Sequence, residues 1–152
     1  MIVVDASIIV TGLADDGPDG DRVRARLSDE RLAAPNVIDL EVASAWRRLV
    51  AAGELDERRA QLALDDLDAL RLVRAPHPPL LDRCWELRHN LTIYDAAYIA
   101  LAELMTATLV TGDRRLAVAP GVRSLGQKRV HRHTHYWTAQ VDAVLSADTA
   151  AP

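Results

Sequence analysis

Several residue types are scarce in this chain of 152 residues, and the shortages exclude whole classes of protein. Cys84 is the single cysteine, so no disulfide can form within the chain, as is usual for proteins of a reducing cytosol. No run approaches the roughly 20 apolar residues that a membrane span requires. No basic stretch precedes the first apolar run, so we expect no signal peptide. We therefore expect a cytoplasmic protein without a membrane segment.

Phenylalanine is absent and Lys128 is the only lysine, so nearly all the positive charge is carried by arginine. The formal net charge is −4, whereas non-specific nucleic-acid binders are often basic, so global charge gives no support to RNA or DNA binding. The fractions of hydrophobic residues (49%) and charged residues (26%) are ordinary for a globular protein. The length fits one domain with a core of Leu, Val, Ile and Ala.

Short apolar runs alternate with helical patterns along the chain. Strands are predicted at residues 2–4, 31–35, 72–73, 108–111 and 122–125. Helices are predicted at residues 7–13, 21–27, 37–52, 57–70, 80–89, 93–105 and 114–118. The predicted N-caps are Asn36, Asp56 and Thr92. This alternation predicts an α/β fold, a three-layer α/β/α sandwich with a central, mostly parallel sheet.

The sequence changes character at about Gly126, where it becomes polar and rich in histidine. We expect residues 1–125 to form one domain and residues 126–152 to be a peripheral or partly disordered segment. An extended chain would place His131, His133 and His135 on one face, where a transition metal can bind. Because no cysteine or carboxylate completes a ligand set there, we favour a polar tail. Trp46 and Trp85 stand at helical positions and are predicted to pack rather than to stack on bases.

Four acidic residues stand where a carboxylate is costly to bury: Asp5, Glu41, Asp95 and Asp113. Asp5 and Asp113 follow strand-like apolar runs, and the carboxyl ends of parallel strands are where open α/β sheets bind ligands. Burying one unpaired carboxylate costs several kcal/mol. Four such placements therefore indicate a shared partner, and a hard divalent cation such as Mg²⁺ or Mn²⁺ is the common one.

The other two acids lie in helical patterns. Asp95 falls in the first turn of its helix, where the helix dipole favours negative charge. Asp39 lies about 200° round the helix from Glu41, so the two should not serve one site. The more apolar neighbours favour Glu41.

Each acid taken alone also has an ordinary explanation. Thr92 and Asp95 have the spacing of a capping box, and Asp113 after Gly112 suits a turn. Asp5 with the residues after it also suits the start of a helix. Only the set of four favours a metal site over helix caps and turns.

The chain resembles PIN-domain ribonucleases, and in particular the VapC-type toxins of bacterial toxin–antitoxin pairs. Four segments carry the resemblance, in this order and spacing: Ile2-Val3-Val4-Asp5-Ala6-Ser7, Leu40-Glu41-Val42 with Trp46-Arg47-Arg48-Leu49, Leu91 to Ala102, and Leu109 to Ala117. Together they span the chain from Met1 to about Leu125. The tail from Gly126 matches nothing in the family pattern.

The resemblance implies a divalent-metal-dependent endoribonuclease whose metal ligands are the four acids already named, with Mg²⁺ or Mn²⁺ as cofactor. It implies that Ser7 and Thr111 hold carboxylates or waters beside the metal. Arg114 and Arg115, next to the last acid, are candidates for contacts with substrate phosphates, although a solvated pair is the more ordinary explanation. The family also implies an RNA substrate, a homodimer and a small VapB-like antitoxin that blocks the acidic groove.

Two other functions stay open. A DNA nuclease would use the same metal chemistry, and only substrate tests separate it from a ribonuclease. A PIN fold used as a non-catalytic nucleic-acid-binding module would normally lack one or more of the acids, and here all four are present. The sequence argues against a third function, that of an aspartyl-phosphate phosphatase. Such an enzyme needs a second Asp two residues after the first, and this chain has Ser7 there.

Overall fold

A computed structural model describes residues 1–117, 131–133 and 136–139, and in it a mixed sheet forms the central layer. Its first four strands are β1 (Ile2–Val4), β2 (Leu32–Pro35), β3 (Leu72–Ala75) and β4 (Thr108–Thr111). These four are mutually parallel, in the order β3-β2-β1-β4, with Ile2 opposite both Leu32 and Thr108. Two short strands, β5 (His131–His133) and β6 (Tyr136–Ala139), add an antiparallel pair at the β4 edge.

The helices cover both faces of the sheet. They are α1 (Ala6–Ala14), α2 (Pro18–Leu27), α3 (Ile38–Ala51), α4 (Glu57–Ala69), α5 (Leu81–Leu87), α6 (Ile93–Met105) and the short α7 (Arg114–Ala117). A 3₁₀ turn at Pro78–Leu80 precedes α5. Helix α6 packs on β1, β2 and β4 with α5 against it, while α1 contacts β4 and groups with α2, α3 and α4. The predicted α/β/α sandwich with a mostly parallel sheet is confirmed.

The core is built mainly from small and branched aliphatic side chains, with Trp46 and Tyr98 as large buried aromatics. Trp46 is fully buried, and its indole N–H donates to the Val10 carbonyl at 3.2 Å, which fixes α3 against α1. The packing prediction is confirmed for Trp46 but is wrong for Trp85, which is 63% exposed. Helix α5 buries Cys84 and Leu87, so Trp85 points outward, with the Arg88 guanidinium 4.7 Å above its ring.

Two of the three predicted helix caps are confirmed. The Asp56 side chain accepts the Arg59 N–H at 3.1 Å, and the Thr92 hydroxyl accepts the Asp95 N–H at 3.1 Å. The prediction for Asn36 is wrong, because α3 begins one residue later, with Val37 at the N-cap position. There a side chain from a distant part of the chain serves instead: His77 Nε2 accepts the Val37 N–H at 3.1 Å.

Part of the segment after residue 125 belongs to the sheet, since β6 pairs with β4 from Leu109 to Thr111. The strand predicted at residues 122–125 lies outside the described residues, so the domain boundary at residue 125 stays a prediction. Among the described residues, no helix is both long and apolar enough to cross a membrane.

Candidate active site

Asp5 lies where β1 ends and α1 begins, and only 8% of its surface is exposed. It occupies the N-cap position of α1, but its carboxylate caps nothing. Instead, Oδ2 accepts two hydroxyl groups, from Ser7 at 2.7 Å and from Thr111 at 2.8 Å. The helix-start explanation therefore does not account for this buried carboxylate, which is held by two side chains from opposite ends of the domain.

The same two hydroxyls also hold the turn that follows β4. Ser7 Oγ accepts the Gly112 N–H at 2.9 Å, and Thr111 Oγ1 accepts the Asp113 N–H at 2.9 Å. The approach is close, because a Cβ on Gly112 would lie 3.0 Å from Ser7 Oγ. Each hydroxyl thus donates to Asp5 and accepts from the backbone, which ties the position of Asp113 to that of Asp5.

Glu41 extends from the first turn of α3 and is half-buried. Its Oε2 accepts the hydroxyl of Tyr98 at 2.5 Å, which joins α3 to α6 across the end of the sheet. Asp39 points elsewhere, since its Oδ2 accepts Arg74 Nε at 2.7 Å. The predicted separation of the two acids on α3 is therefore present.

Asp95 lies in the first turn of α6, and its backbone N–H is the group that Thr92 caps. The capping-box explanation is thus correct for the backbone, but it leaves the carboxylate unaccounted for. Burial raises the pKa of both Asp5 and Glu41, and the negative charge of Asp95 adds to each rise.

Asp113 follows β4 and forms an ion pair with its neighbour two residues on. Oδ2 accepts Arg115 Nη2 at 2.9 Å, and Oδ1 accepts the Arg115 backbone N–H at 2.8 Å. The hydrogen bond from the Arg115 guanidinium is the main reason that the pKa of Asp113 lies below its usual value. Arg114 is exposed. The phosphate contacts predicted for both arginines stay a prediction, and that of Arg115 would require it to leave Asp113.

A groove of about 730 Å³ opens at these carboxylates and runs between α1 and α3. Asp5, Glu41 and Asp113 line it, and Asp95 acts on two of them from beside it. Burial, more than any other cause, raises the pKa of both Asp5 and Glu41. Asp5, Glu41 and Asp113 thus line one groove, and Asp95 lies in the first turn of α6, next to the lining residue Tyr94.

The donor chemistry of this set fits a hard divalent cation, since carboxylate oxygens are the ligands that Mg²⁺ and Mn²⁺ prefer. Among the residues that the structure describes, no three acidic, histidine or cysteine side chains are yet close enough to hold one ion together. Glu41 is instead held by Tyr98 and Asp113 by Arg115. Metal binding by this set thus requires the carboxylates to turn towards a shared ion and Asp113 to leave Arg115.

Comparison with known proteins bears on this arrangement. The sequence pattern of the PIN domain family matches residues 2–122. Ribonuclease VapC1 of Mycobacterium tuberculosis is 46% identical over 121 residues, which are 79% of this chain and 91% of VapC1. VapC ribonuclease Mb0985 of Mycobacterium bovis is 42% identical over 117 residues, 77% of this chain and 89% of that protein. Ribonuclease VapC3 of M. tuberculosis is 38% identical over 126 residues, 82% and 92% of the two chains.

The chain belongs to the VapC family of PIN-domain proteins. The resemblance predicted from the sequence is confirmed. The family match ends at residue 122, and the structure describes no residue from 118 to 130.

One residue of this VapC site was missed from the sequence. Tyr98 was taken as one of the apolar residues of α6, and its ring is indeed 1% exposed, but its hydroxyl holds Glu41. A signal was available, because residues three apart lie on the same face of a helix and Tyr98 follows Asp95 by three. If Asp95 faces the other acids, Tyr98 must face them too.

The raised pKa values predict how the stability of this VapC protein depends on pH. Folding favours the protonated forms of Asp5 and Glu41, whose ordinary values are 3.8 and 4.5. This contribution is fully present below those values and is lost as pH rises through the raised pKa of each group. Asp113 has a lowered pKa, so its contribution is lost only as pH falls below 3.8. As pH rises above 4.5, the metal-free protein should therefore lose the stability that the protonated forms of Asp5 and Glu41 contribute.

Thermal unfolding of wild-type protein and Asp5→Asn between pH 4.5 and 7, with EDTA or Mn²⁺, tests this expectation. In EDTA the melting temperature of the wild type should fall relative to that of the variant as pH rises. With Mn²⁺ the wild type should gain more at higher pH, because the ion binds ionised carboxylates. Parallel curves for the two proteins in EDTA would show that Asp5 does not titrate abnormally.

Proposed function

We propose that this protein is a divalent-metal-dependent endoribonuclease and the toxin of a toxin–antitoxin pair. The observation that carries the proposal is the groove at the carboxyl ends of β1 and β4, which Asp5, Glu41 and Asp113 line, with Asp95 next to the lining residue Tyr94, within a VapC-family fold. The relatives it matches over most of their length are named as ribonucleases. The reaction is hydrolysis of an RNA phosphodiester bond, and the domain that performs it comprises residues 1–125.

The metal ligands in this proposal are Asp5, Glu41, Asp95 and Asp113. Ser7 and Thr111 orient the Asp5 carboxylate through its Oδ2 and hold the turn that carries Asp113. Tyr98 orients Glu41, and its hydrogen bond opposes the rise that burial causes in the pKa of Glu41. Such partners commonly change metal affinity ten- to a hundredfold when they are removed.

When bound, Mg²⁺ or Mn²⁺ supplies a low pKa for a coordinated water and neutralises charge that develops on the phosphodiester. The protein itself supplies the groove and the carboxylates that line it. In this proposal the Arg115 guanidinium leaves Asp113 and binds an RNA phosphate, and Arg114 contacts the RNA backbone beside it.

The proposed partners follow from the family. They are an RNA substrate, a cognate VapB-like antitoxin that occupies the acidic groove, and a second copy of the chain in a homodimer. We propose a cytoplasmic location, where both RNA and an antitoxin are present. The single cysteine and its burial agree with that compartment.

A DNA nuclease is the rival with the same chemistry, and it is separated by substrate. Purified protein, freed of antitoxin, is incubated with total cellular RNA and with single-stranded DNA copies of the RNAs that are cut, in Mg²⁺, Mn²⁺ or EDTA. We expect discrete cuts in RNA, none in EDTA, and intact DNA, because the 2′-hydroxyl allows a protein to distinguish the two. Cutting of DNA alone would support the rival, and cutting of neither would support a binding module.

A further inference from the structure

The groove has one end with acids and one end without. Helices α1 and α3 both start at the carboxylates, α1 directly after Asp5 and α3 one turn before Glu41. The groove follows both helices away from that point. Its walls beyond the acids are mainly apolar, and they are formed by Val10, Ala45 and Leu49 among others. An extended ligand bound at the acids would therefore continue along α3.

Arg48 stands at the far end of this path. It follows Glu41 by seven residues, which is about two helical turns, so the two side chains lie on one face of α3 and roughly 10 Å apart along its axis. Arg48 lines the groove and is exposed to solvent. Among the described residues that line the groove, it is the only cation.

The charge of Arg48 is not neutralised by a carboxylate within the described part of the chain. Its one contact there is with Ser44 Oγ, at 3.3 Å, another residue of the groove wall. Among the exposed arginines that the structure describes, Arg22, Arg24, Arg26 and Arg115 do have acidic partners. A free guanidinium over an apolar groove is thus available for an anion that enters the groove.

Arg47 offers a contrast within the same helix. It is also exposed, but it lies about 100° round the helix from Arg48 and does not line the groove. The ordinary explanation for Arg48 is that a cation in the last turn of α3 favours the helix dipole. That explanation does not require the side chain to face the groove.

We infer that Arg48 binds a phosphate of the RNA strand next to the one at the carboxylates, and so sets the direction in which the strand lies. The inference rests on the proposed function. An RNA strand suits the groove better than a peptide, because successive phosphates can meet a cation at one end and a metal site at the other. Its bases can lie on the apolar wall and on Tyr94, which is 61% exposed.

The test is RNA binding by Arg48→Gln, with Arg47→Gln as the matched control and Arg48→Lys as the conservative variant. All are made in an Asp5→Asn background so that no RNA is cut. A fluorescein-labelled single-stranded RNA of random sequence is titrated by anisotropy at several salt concentrations. Arg48→Gln should bind about fivefold more weakly and flatten the slope of log K against log salt by about 0.7, the value for one lost contact to a single strand. Arg47→Gln and Arg48→Lys should keep affinity and slope.

Equal affinities and slopes for Arg48→Gln and Arg47→Gln would overturn the inference while leaving the nuclease proposal intact. The same affinities and slopes for RNA, together with weaker binding of the antitoxin to Arg48→Gln than to Arg47→Gln, would assign Arg48 to the antitoxin instead. If the Asp5→Asn protein binds no RNA and the wild type cuts none, the proposed function and the inference fail together. Melting temperatures of all variants, within one or two degrees of each other, exclude an effect on folding.

Discussion

Asp5→Asn is expected to lower the rate of RNA cleavage by about a thousandfold, because a metal's stabilisation of the transition state is worth several kcal/mol and each 1.4 kcal/mol is a factor of ten. Asp5 is the most buried of the four acids and the one on which Ser7 and Thr111 converge. An amide keeps the shape of the side chain but removes the charge. Addition of EDTA to the wild type should give a loss of similar size.

The fold should survive this change. The pKa of Asp5 is raised by its burial, so its charged form is unfavourable in the metal-free protein, and Asn removes that cost. The metal-free variant should melt no lower than the wild type, whereas added Mn²⁺ should raise its melting temperature less. This combination separates a lost ligand from a damaged fold.

Asp39→Asn is the matched control, since it removes a carboxylate two residues from Glu41 that pairs with Arg74 instead of facing the groove. It should cleave RNA at close to the wild-type rate. Wild-type activity in Asp5→Asn, or equal losses in the two variants, would contradict the assignment of Asp5 as a metal ligand.

Much of the fold could be predicted because its local signals agree with one another. The strand at Thr108–Thr111 and the helix at Ile93–Met105 occur at their predicted bounds, and the Thr92 cap is local, since the hydroxyl and the N–H that it accepts are three residues apart. Where a local signal competes with a tertiary contact, the prediction fails. Asn36 has the right chemistry for a cap, but His77 reaches the helix from 40 residues away.

The candidate site divides in the same way. The family resemblance allowed Asp5, Ser7 and Thr111 to be proposed together, and the structure joins them by hydrogen bonds. The ion pair between Asp113 and Arg115 was not foreseen, because the sequence shows that two charges are adjacent but not that one holds the other. Trp85 shows the same limit, as helical spacing does not say which face of α5 meets the core.

Tyr98→Phe is expected to weaken Mn²⁺ binding ten- to a hundredfold while leaving the fold intact. The ring is retained in the core, and only the hydroxyl that donates to Glu41 at 2.5 Å is lost. That hydrogen bond lowers the pKa of Glu41, whereas burial and the charges of Asp5 and Asp95 raise it. Without the hydroxyl, Glu41 should be protonated at higher pH and should also be free to rotate. Both effects should weaken the binding of Mn²⁺.

The measurement is calorimetric titration with Mn²⁺ at several pH values, with Tyr94→Phe as the control. Tyr94 loses the same hydroxyl one turn earlier on α6, from a ring that is 61% exposed beside the groove. The deficit of Tyr98→Phe should shrink as pH rises, because Glu41 is then ionised with or without its donor, and the remaining deficit measures orientation alone. If Tyr98→Phe binds Mn²⁺ as the wild type does at every pH, the Tyr98 hydroxyl plays no part in positioning Glu41 for the metal.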